Sequence, residues 1–432
     1  MKKQLLLILY ACILCTVLHA QSSWSVQHIG TNSTLYGVDF LDENIGMAVG
    51  DSGVILRTVN SGQSWETLNS GVMLCLNSVG YIDADNIIVV GNDALILKST
   101  DGGDSWNAEY LLGTMNGDLW SVDMSPSGKG IIVGQYQTTV TTTDGFSNKL
   151  IIRKNYTGGF FSTRILDEDN AFVFGLNGTL NPIVYKVAHF DSISTARFYY
   201  PYNGVIYSSG TLYDGYAFSK DSVLTVGHMV DNAASFGFSS YICRNQPWDT
   251  QYWDTEHIVY DSWYNGVDFV NNYGIAVGGM KDTDGIDQYI ISESSDQGRN
   301  WKEVESPVKT CVLNDVKVLN ATAYIVGDSG LIMKTKLPSV DSHTQQIDYH
   351  LNVYPNPSNG YSNISFLNPA TGNVIISLYS AEGKLVNTVF KGTLPSGNHE
   401  FRILTQHLER GLYYCTLRTD EQVTTKKISI VN

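Results

Sequence analysis

The stretch Ser99-Thr100-Asp101-Gly102-Gly103-Asp104-Ser105-Trp106 decides the fold, because close variants of it occur again at residues 58–65 and 294–301. All three copies follow the pattern Ser/Thr-x-Asp/Asn-x-Gly-x-x-Trp. The Asp or Asn side chain can accept hydrogen bonds from turn N–H groups, and Gly can adopt a positive φ. Trp then covers the turn with a large apolar face. A repeated turn of this kind predicts a repeated hairpin unit.

A second pattern, an apolar residue followed by Gly, recurs seven times between residues 49 and 327. Its copies are Val49-Gly50, Val90-Gly91, Val133-Gly134, Phe174-Gly175, Val226-Gly227, Val277-Gly278 and Val326-Gly327. The period of roughly 40 to 50 residues is typical of one propeller blade. Apolar runs lie before and after each pair, so each unit is predicted to be a four-stranded antiparallel sheet.

The seventh unit stops after its third strand, near residue 337. Residues 23–30 resemble the fourth-strand segment 65–71, so they are predicted to complete the last blade and close the ring. The sequence therefore predicts an all-β fold, with a seven-bladed β-propeller over residues 21–337.

The repeated turns, and the strings Val-Gly-Asp-Ser-Gly-x-Ile-Leu/Met-x-Thr at 49–58 and 326–335, resemble those of BNR or Asp-box propellers. The resemblance is strongest to photosystem II assembly-factor-like and sialidase-like repeat proteins. It is informative about the fold rather than the function, because that fold hosts enzymes, lectins and scaffolds. The resemblance implies structural roles for the Asp-box residues, which are Asn60, Gly62, Trp65, Asp101, Gly103, Trp106, Asp296, Gly298 and Trp301.

The N-terminus reads as a secretory signal peptide over residues 1–20, with Lys2 and Lys3 before an apolar run and a small residue at Ala20. The alternatives are a membrane anchor, for which the run is short, and a lipidated Cys12, for which the position is early. The net charge of −15 argues against nucleic acid as a partner. We expect no transmembrane segment in the mature chain.

A separate module follows a polar linker at 338–350. Alternating strands and Gly turns over residues 351–432 predict an immunoglobulin-like β-sandwich. The segments Tyr354-Pro355-Asn356-Pro357, Gly411-Leu412-Tyr413 and Lys426-Lys427-Ile428-Ser429-Ile430 resemble the type A C-terminal sorting domain of the type IX secretion system. The resemblance implies a Bacteroidota-type cell, export to the outer-membrane surface by that machinery, and removal of the module by a sortase-like peptidase. The alternative is an ordinary immunoglobulin-like appendage.

Signals of catalysis are weak. The propeller arginines do not occupy equivalent inner-strand positions as a sialidase would need, and there is no Gly-x-Ser-x-Gly, His-Glu-x-x-His or phosphate-binding loop. We therefore expect no catalytic residues and no enzyme activity; the alternative is a secreted glycoside hydrolase using carboxylates such as Asp249, Asp254 and Glu256. The four cysteines beyond residue 20 include no Cys-x-x-Cys pair, so no metal site is expected. We interpret the segment 282–287 as a solvated turn, with calcium as the alternative cofactor.

A dense aromatic segment near residue 250 carries the binding hypothesis. Flat rings beside carboxylates suit sugar stacking, and the candidate ligand-binding residues are Trp248, Tyr252, Trp253, Asp254 and Glu256. The competing interpretation is that these aromatics only pack within the blade. The sequence thus predicts a secreted, cell-surface, non-catalytic propeller that recognises a glycan or an extracellular protein. The hydrolase and a scaffold within an envelope complex are the alternatives.

Overall fold

The computed structural model describes residues 24–27, 29–111, 117–152, 157–176, 182–188, 190, 192–198, 210–219, 222–230, 235, 238–245, 253–337, 351–368, 372–380, 385–395, 397–419 and 423–431. The predicted signal peptide and linker lie outside these residues. The all-β prediction is confirmed: the described residues form strands and turns, with two short 3-10 turns at Asp51–Gly53 and Asp328–Gly330 and no α-helix. The chain divides into two compact units, Met1–Ser339 and Val340–Asn432.

Seven four-stranded sheets make up the first unit, and we number them as blades 1 to 7. Blade 1 contains β2 (Leu35–Phe40), β3 (Gly46–Gly50), β4 (Val54–Thr58) and β5 (Glu66–Asn69); blade 2 contains β6 (Leu76–Tyr81), β7 (Asn86–Gly91), β8 (Leu95–Thr100) and β9 (Asn107–Tyr110). Blade 3 contains β10 (Leu119–Met124), β11 (Gly130–Gly134), β12 (Thr138–Thr142) and β13 (Leu150–Ile152); blade 4 contains β14 (Phe160–Asp167), β15 (Asn170–Leu176), β16 (Pro182–Ala188) and β17 (Ser192–Phe198).

The remaining blades follow the same plan. Blade 5 contains β18 (Gly210–Ser219), β19 (Ser222–Val230), β20 (Phe238–Asn245) and β21 (Trp253–Tyr260); blade 6 contains β22 (Ser262–Val270), β23 (Tyr273–Lys281), β24 (Asp287–Ser294) and β25 (Lys302–Glu303). Blade 7 contains β26 (Leu313–Val318), β27 (Thr322–Gly327) and β28 (Leu331–Lys336), and its fourth strand is β1 (Ser25–Gln27) from the beginning of the chain.

The ring closes between the two ends of the propeller sequence. β1 pairs antiparallel with β28, so the N-terminal segment completes blade 7 as predicted. The first strand of every blade contacts the first strands of both neighbours, and the contact between β26 and β2 completes the circle. Trp24 is 7% exposed and packs in the core of blade 7, which places a large side chain at the closing strand.

The Gly of the recurring apolar-Gly pair has a steric cause. It lies opposite the inner-strand residue that precedes a β-bulge, as Gly50 lies opposite Leu35 and Gly227 lies opposite Leu212. A Cβ at Gly50 would come within 2.1 Å of the Thr34 carbonyl oxygen, and one at Gly278 within 2.0 Å of the Trp263 carbonyl oxygen. Only Gly fits so close an approach, so the same bulge forms in all seven blades.

The second unit is a seven-stranded β structure with its own core. Its strands are β29 (Asn352–Asn359), β30 (Tyr361–Asn368), β31 (Gly372–Ser380), β32 (Leu385–Leu394), β33 (Gly397–Leu404), β34 (Gly411–Thr419) and β35 (Val423–Ile430), in the order β32-β31-β34-β35-β29-β30-β33. Alternate residues such as Val374, Ile376 and Leu378 point inward and are almost fully buried. This alternation is what a sheet with one core-facing side requires.

Candidate functional site

The repeated turns lie between the third and fourth strands of their blades. Ser99 Oγ accepts a hydrogen bond from Gly103 N–H at 2.8 Å, and Asp101 Oδ1 accepts from Ser105 N–H at 2.9 Å. The same bonds recur at Thr58 and Asn60 and at Ser294 and Asp296, with Gly62, Gly103 and Gly298 all at positive φ. Hydrogen bonding lowers the pKa of the Asp101 carboxyl. Because these oxygens are bonded to turn N–H groups, the geometry gives the turn residues a structural role.

Two of the three repeated turns also form hydrogen bonds with the preceding blade. Arg57 of blade 1 donates to the Gly102 carbonyl at 2.9 Å, and Lys334 of blade 7 donates to the Ser61 carbonyl. Tyr324 of blade 7 adds a 2.8 Å bond to the same Ser61 oxygen. The three Trp residues of these turns are half-buried; the Trp301 indole donates to the Gly298 carbonyl, and Trp65 and Trp106 pack on their blades. The turns of blades 1 and 2 therefore join neighbouring blades.

The aromatic segment near residue 250 is only partly described. Trp248 and Tyr252, like Asp249, lie outside the described residues. Trp253 and Asp254 lie in β21, where their backbones pair with Asn245 and Arg244. Glu256 is half-buried with Oε1 at 3.8 Å from Arg244 Nε. The ligand role of these five residues stays a prediction.

The segment 282–287, for which calcium binding is the alternative to a solvated turn, forms a turn closed by hydrogen bonds. Asp282 Oδ1 accepts hydrogen bonds from the N–H groups of Asp284 and Ile286 at 2.9 and 2.8 Å, and Oδ2 accepts from Gln288 at 3.0 Å. In the part of the chain that the structure describes, no group of three or more His, Cys, Asp or Glu side chains could hold a metal ion.

A cavity of about 150 Å³ lies where the inner strands of the blades meet. Its lining comes from equivalent positions of the inner strands, which include Asp39, Asp123, Arg164, Asp214, Asp315 and Lys317. Of the described arginines of the propeller, Arg164 alone lines it, whereas Arg57 bonds to a turn at the blade's outer edge. Among the described residues, the lining contains no cluster of arginines of the kind that a sialidase uses to bind a substrate carboxylate.

The channel carboxylates bond to the backbone of the adjoining blade. Asp315 Oδ2 accepts from Val38 N–H and Asp214 Oδ2 from Val267 N–H, each at 2.9 Å. Further along the inner strands, Asp123 Oδ2 accepts a hydrogen bond from Ile165 N–H at 2.6 Å. Asp39 and Asp268 accept equivalent bonds from the blades that follow them. These carboxylates connect one blade to the next, as Ser78 and Ser121 do elsewhere in the ring.

Two cations balance part of this negative charge. Lys317 Nζ lies 2.7 Å from Asp39 Oδ1, and Arg164 reaches across blade 5 to Asp268 at 3.4 Å. Burial alone would lower the pKa of both cations, but the nearby carboxylates raise it above the ordinary value. Burial raises the pKa of Asp315 to about 7, with the charge of Asp214 as the next cause. Both cations are thus held in ion pairs within the ring.

A continuous row of aromatic rings lies at one mouth of this channel, and we call it the aromatic arc. Its members come from blades 3 to 6 and each is half-buried: Trp120, Phe161, Tyr213, His228, Phe238 and Trp263. Trp120 and Phe161 stack with centroids 4.6 Å apart, and each later neighbour follows at 5.4 to 6.1 Å. Burial lowers the pKa of His228, so the arc is uncharged at neutral pH.

The repeated β-bulge explains where the aromatic arc forms. Trp120, Phe161 and Tyr213 are the bulged residues of their inner strands, and they lie in the N-terminal half of each strand. In an antiparallel blade that end is opposite to the turn between the third and fourth strands. The arc therefore lies on the other face from the repeated turns. Sequence reasoning missed it, although the bulge position, one residue after the inner-strand residue opposite the repeated Gly, could have been read from the register of the repeats.

The comparisons with known proteins agree with this architecture. Residues 352–431 match the secretion system C-terminal sorting domain, and residues 17–122 match the photosynthesis system II assembly factor YCF48. Both resemblances inferred from the motifs are thereby confirmed. No curated protein matches the chain in sequence.

Solved propeller structures resemble the fold. YCF48 bound to D1 peptide has a TM-score of 0.55 at 16% identity, covering 73% of this chain and 97% of that one. YCF48 from Cyanidioschyzon merolae has the same TM-score at 17% identity, covering 73% and 99%; the WD40 β-propeller domain of Doa1 has 0.52 at 14%, covering 73% and 96%. At such identities the likeness shows the fold alone. The sorting domain points to secretion or the cell surface, and the described residues include no helix long and apolar enough to cross a membrane.

Proposed function

We propose that this secreted propeller is a non-catalytic recognition protein that binds an extracellular polypeptide across the mouth of its central channel. The observation that carries the proposal is the aromatic arc: six half-buried rings in contact, drawn from four blades, beside an open cavity. Rings held by both neighbours offer large contact area with little loss of side-chain entropy on binding. Such a surface suits a ligand laid over several blades.

A polypeptide ligand is favoured over a glycan by one comparison. YCF48 bound to D1 peptide is a solved structure of similar fold that holds a peptide. We carry over only the ligand class, because the identity of 16% supports no residue-by-residue transfer. Stacked rings would also suit sugars, so a glycan is the competing outcome of the test.

The channel chemistry supports binding over hydrolysis. A glycosidase needs two carboxylates free to act on substrate. Here the acceptor oxygens of Asp39, Asp123, Asp214, Asp268 and Asp315 bond to backbone N–H groups of the adjoining blade, which fixes them in the ring. We therefore assign these carboxylates to blade assembly.

The C-terminal module supports the proposal that the propeller is exported to the cell surface. Its match to a secretion system sorting domain implies contact with the secretion machinery. We propose further that this is the type IX machinery of a Bacteroidota-type cell, and that a sortase-like peptidase removes the module as the propeller is attached to the cell surface. Residues 1–20 would serve as the signal peptide for the first export step.

Labelled full-length protein applied to a random peptide array and to a broad glycan array tests the proposal. We expect peptide spots that bind the native chain and are lost with Trp120→Ala, while Tyr110→Ala on the outer strand β9 leaves them unchanged. Equal melting temperatures of the two variants would show that both are folded. Binding to glycans alone would contradict the proposal that the ligand is a polypeptide. Peptide binding that is unchanged in Trp120→Ala would contradict the proposal that the aromatic arc is the binding site.

A further inference from the structure

Four carboxylates at the same mouth of the channel lie where the aromatic arc ends, on blades 7, 1 and 2 and at the start of blade 3. We call them the acidic arc: Asp51, Asp93, Asp118 and Asp328. Each adjoins the start of an inner strand, since Asp51 N–H donates to the Thr34 carbonyl and Asp328 N–H to the Val312 carbonyl. Asp118 immediately precedes β10, and its Oδ1 accepts from Asp93 N–H at 3.1 Å. The acidic arc therefore occupies blades 7, 1 and 2 and the start of blade 3.

The acidic arc has no balancing cation in the described part of the chain. Asp51 Oδ1 accepts from Ser52 N–H at 2.8 Å, and Asp328 Oδ1 accepts from the Asn314 amide at 3.3 Å. These partners are neutral, and the ion pairs of the described residues involve other carboxylates. By contrast, the carboxylates inside the channel have Lys317 and Arg164 beside them. The carboxylates of the acidic arc are therefore available to pair with positive charges of a binding partner.

Tyr36 connects the acidic arc to the cavity. It is the bulged residue of blade 1, lines the cavity and is 38% exposed. Burial raises the pKa of its phenol, and neighbouring acidic groups that include Asp51 and Asp328 raise it further, so the carboxylates lie close to this ring. Asn314, bonded to Asp328, lines the same cavity. The two arcs and the cavity therefore form one surface.

We propose that the ligand of this surface is a cationic polypeptide segment, with Lys or Arg side chains against the acidic arc and apolar or aromatic side chains against the aromatic arc. This inference rests on the proposed recognition function and adds the charge and side-chain class of the ligand. Carboxylates held at a rim attract guanidinium and ammonium groups over a distance of several ångströms. The chain's net charge of −15 attracts a cation at longer range as well. A neutral glycan would leave these charges unpaired.

Fluorescence anisotropy of the full-length protein with three peptides of equal length tests the inference. The peptides alternate Lys with Trp, Glu with Trp, and Lys with Ser. We expect the Lys–Trp peptide to bind most tightly and its binding to weaken at high ionic strength, because Asp51 and Asp93 of the acidic arc are exposed to solvent. Asp51→Asn and Asp328→Asn should each weaken its binding about two- to fivefold. Asp85→Asn, an exposed carboxylate between the first two strands of blade 2, is the control and should leave binding unchanged.

The outcomes separate this inference from the proposed function. Equal binding of the Lys–Trp and Glu–Trp peptides, with loss in Trp120→Ala, would overturn the cationic ligand and leave recognition by the aromatic arc standing. Equal binding of the Lys–Trp and Lys–Ser peptides would overturn the joint use of both arcs. If none of the three peptides binds, the inference is wrong, and the peptide array decides the proposed function on its own.

Discussion

Asp315 Oδ2 accepts a hydrogen bond of 2.9 Å from the backbone N–H of Val38, although 277 residues separate the two in the chain. The bond spans the seam between blade 7 and blade 1, where the ring closes. Asp214 and Val267 make the same bond within the ring, between blades 5 and 6, also at 2.9 Å. The closing seam therefore uses the same hydrogen bond that joins other blades in the channel. On the outer side of blade 7, the pairing of the N-terminal strand β1 with β28 closes the ring a second time.

The first prediction concerns the pH dependence of this seam. Burial raises the pKa of Asp315 to about 7, above its value in the unfolded chain. A carboxyl of this kind contributes stability at low pH, and the contribution is lost as pH rises through about 7. Because Asp315 is half-buried and faces the channel, we expect a loss on the order of 1 kcal/mol between acidic and mildly alkaline pH. Urea unfolding of the native chain and of Asp315→Asn measures it.

The control for this prediction is Asp85→Asn, since Asp85 is exposed. The free energy of unfolding of Asp315→Asn should rise relative to the native chain as pH increases, whereas that of Asp85→Asn should run parallel to it. Parallel curves for all three proteins would contradict the assignment of a raised pKa to Asp315.

The second prediction concerns the closing strand. Trp24, directly before β1, is 7% exposed and packs with Leu331 and Met333, whereas Val26 within β1 is 38% exposed. Trp24→Ala removes a large buried side chain and should lower the free energy of unfolding by about 3 kcal/mol. Val26→Ala should lower it by less than about 1 kcal/mol. Deletion of residues 24–30 should remove the cooperative transition of the propeller, and an unchanged melting curve would contradict closure by β1.

The architecture could be predicted because its determinants are local and repeated. Asp101 and Gly103 sit within four residues of their partners, and Gly50 is required by a contact within its own hairpin. Repetition then made each pattern visible several times along the chain. Pairing of β1 with β28 was predictable for the same reason, because the segment at 23–30 resembles other fourth strands.

The binding surface could not be predicted in the same way. Trp120, Phe161 and Tyr213 are about 40 to 50 residues apart in sequence, and each is a single aromatic residue in an ordinary strand. Only the packing of blades around the propeller axis brings their side chains into contact. The sequence instead indicated Trp248 and Tyr252, because aromatic residues are frequent in the segment that contains them. High local density of rings says nothing about which face of a blade they occupy. The inter-blade bonds of Asp315 were missed for the same reason, since their partners lie on another blade.

The third prediction tests the repeated turn. Ser99 is 3% exposed, and its Oγ accepts from the N–H groups of Gly103 and Asp101 while donating to Asp101 Oδ1. Ser99→Ala leaves the Gly103 N–H without its acceptor in a buried position, and should lower the free energy of unfolding by about 1 to 3 kcal/mol. The neighbouring hydroxyl of Thr100 is exposed, so Thr100→Ala is the control and should change it by less than about 0.5 kcal/mol. Equal effects of the two variants would argue against the turn network.

The fourth prediction tests the aromatic arc without removing a ring. Gly159 lies beneath Trp120, and a Cβ at residue 159 would come within 2.3 Å of the indole. Gly159→Ala should displace the Trp120 ring from Phe161, alter tryptophan fluorescence and weaken peptide binding several-fold. Gly71→Ala is a matched control for the handling of a Gly variant, because a Cβ there meets nothing within 4 Å, although its positive φ lowers stability slightly. Peptide binding unchanged in a folded Gly159→Ala would show that the ring stack is not part of the site.

The fifth prediction concerns the C-terminal module. Because Val340–Asn432 forms a compact unit with its own core and matches a secretion system sorting domain, residues 338–432 should carry a periplasmic reporter to the surface of a cell that has the type IX machinery. Ile428 is fully buried in that core, so Ile428→Asp places a charge among apolar side chains and should unfold the module. Val431→Asp, at a residue 46% exposed, is the control. Surface labelling should detect the reporter with the native and Val431→Asp modules and miss it with Ile428→Asp. Retention of the native fusion in the periplasm would contradict export by this module, and export of the Ile428→Asp fusion would show that recognition needs only a linear segment of it.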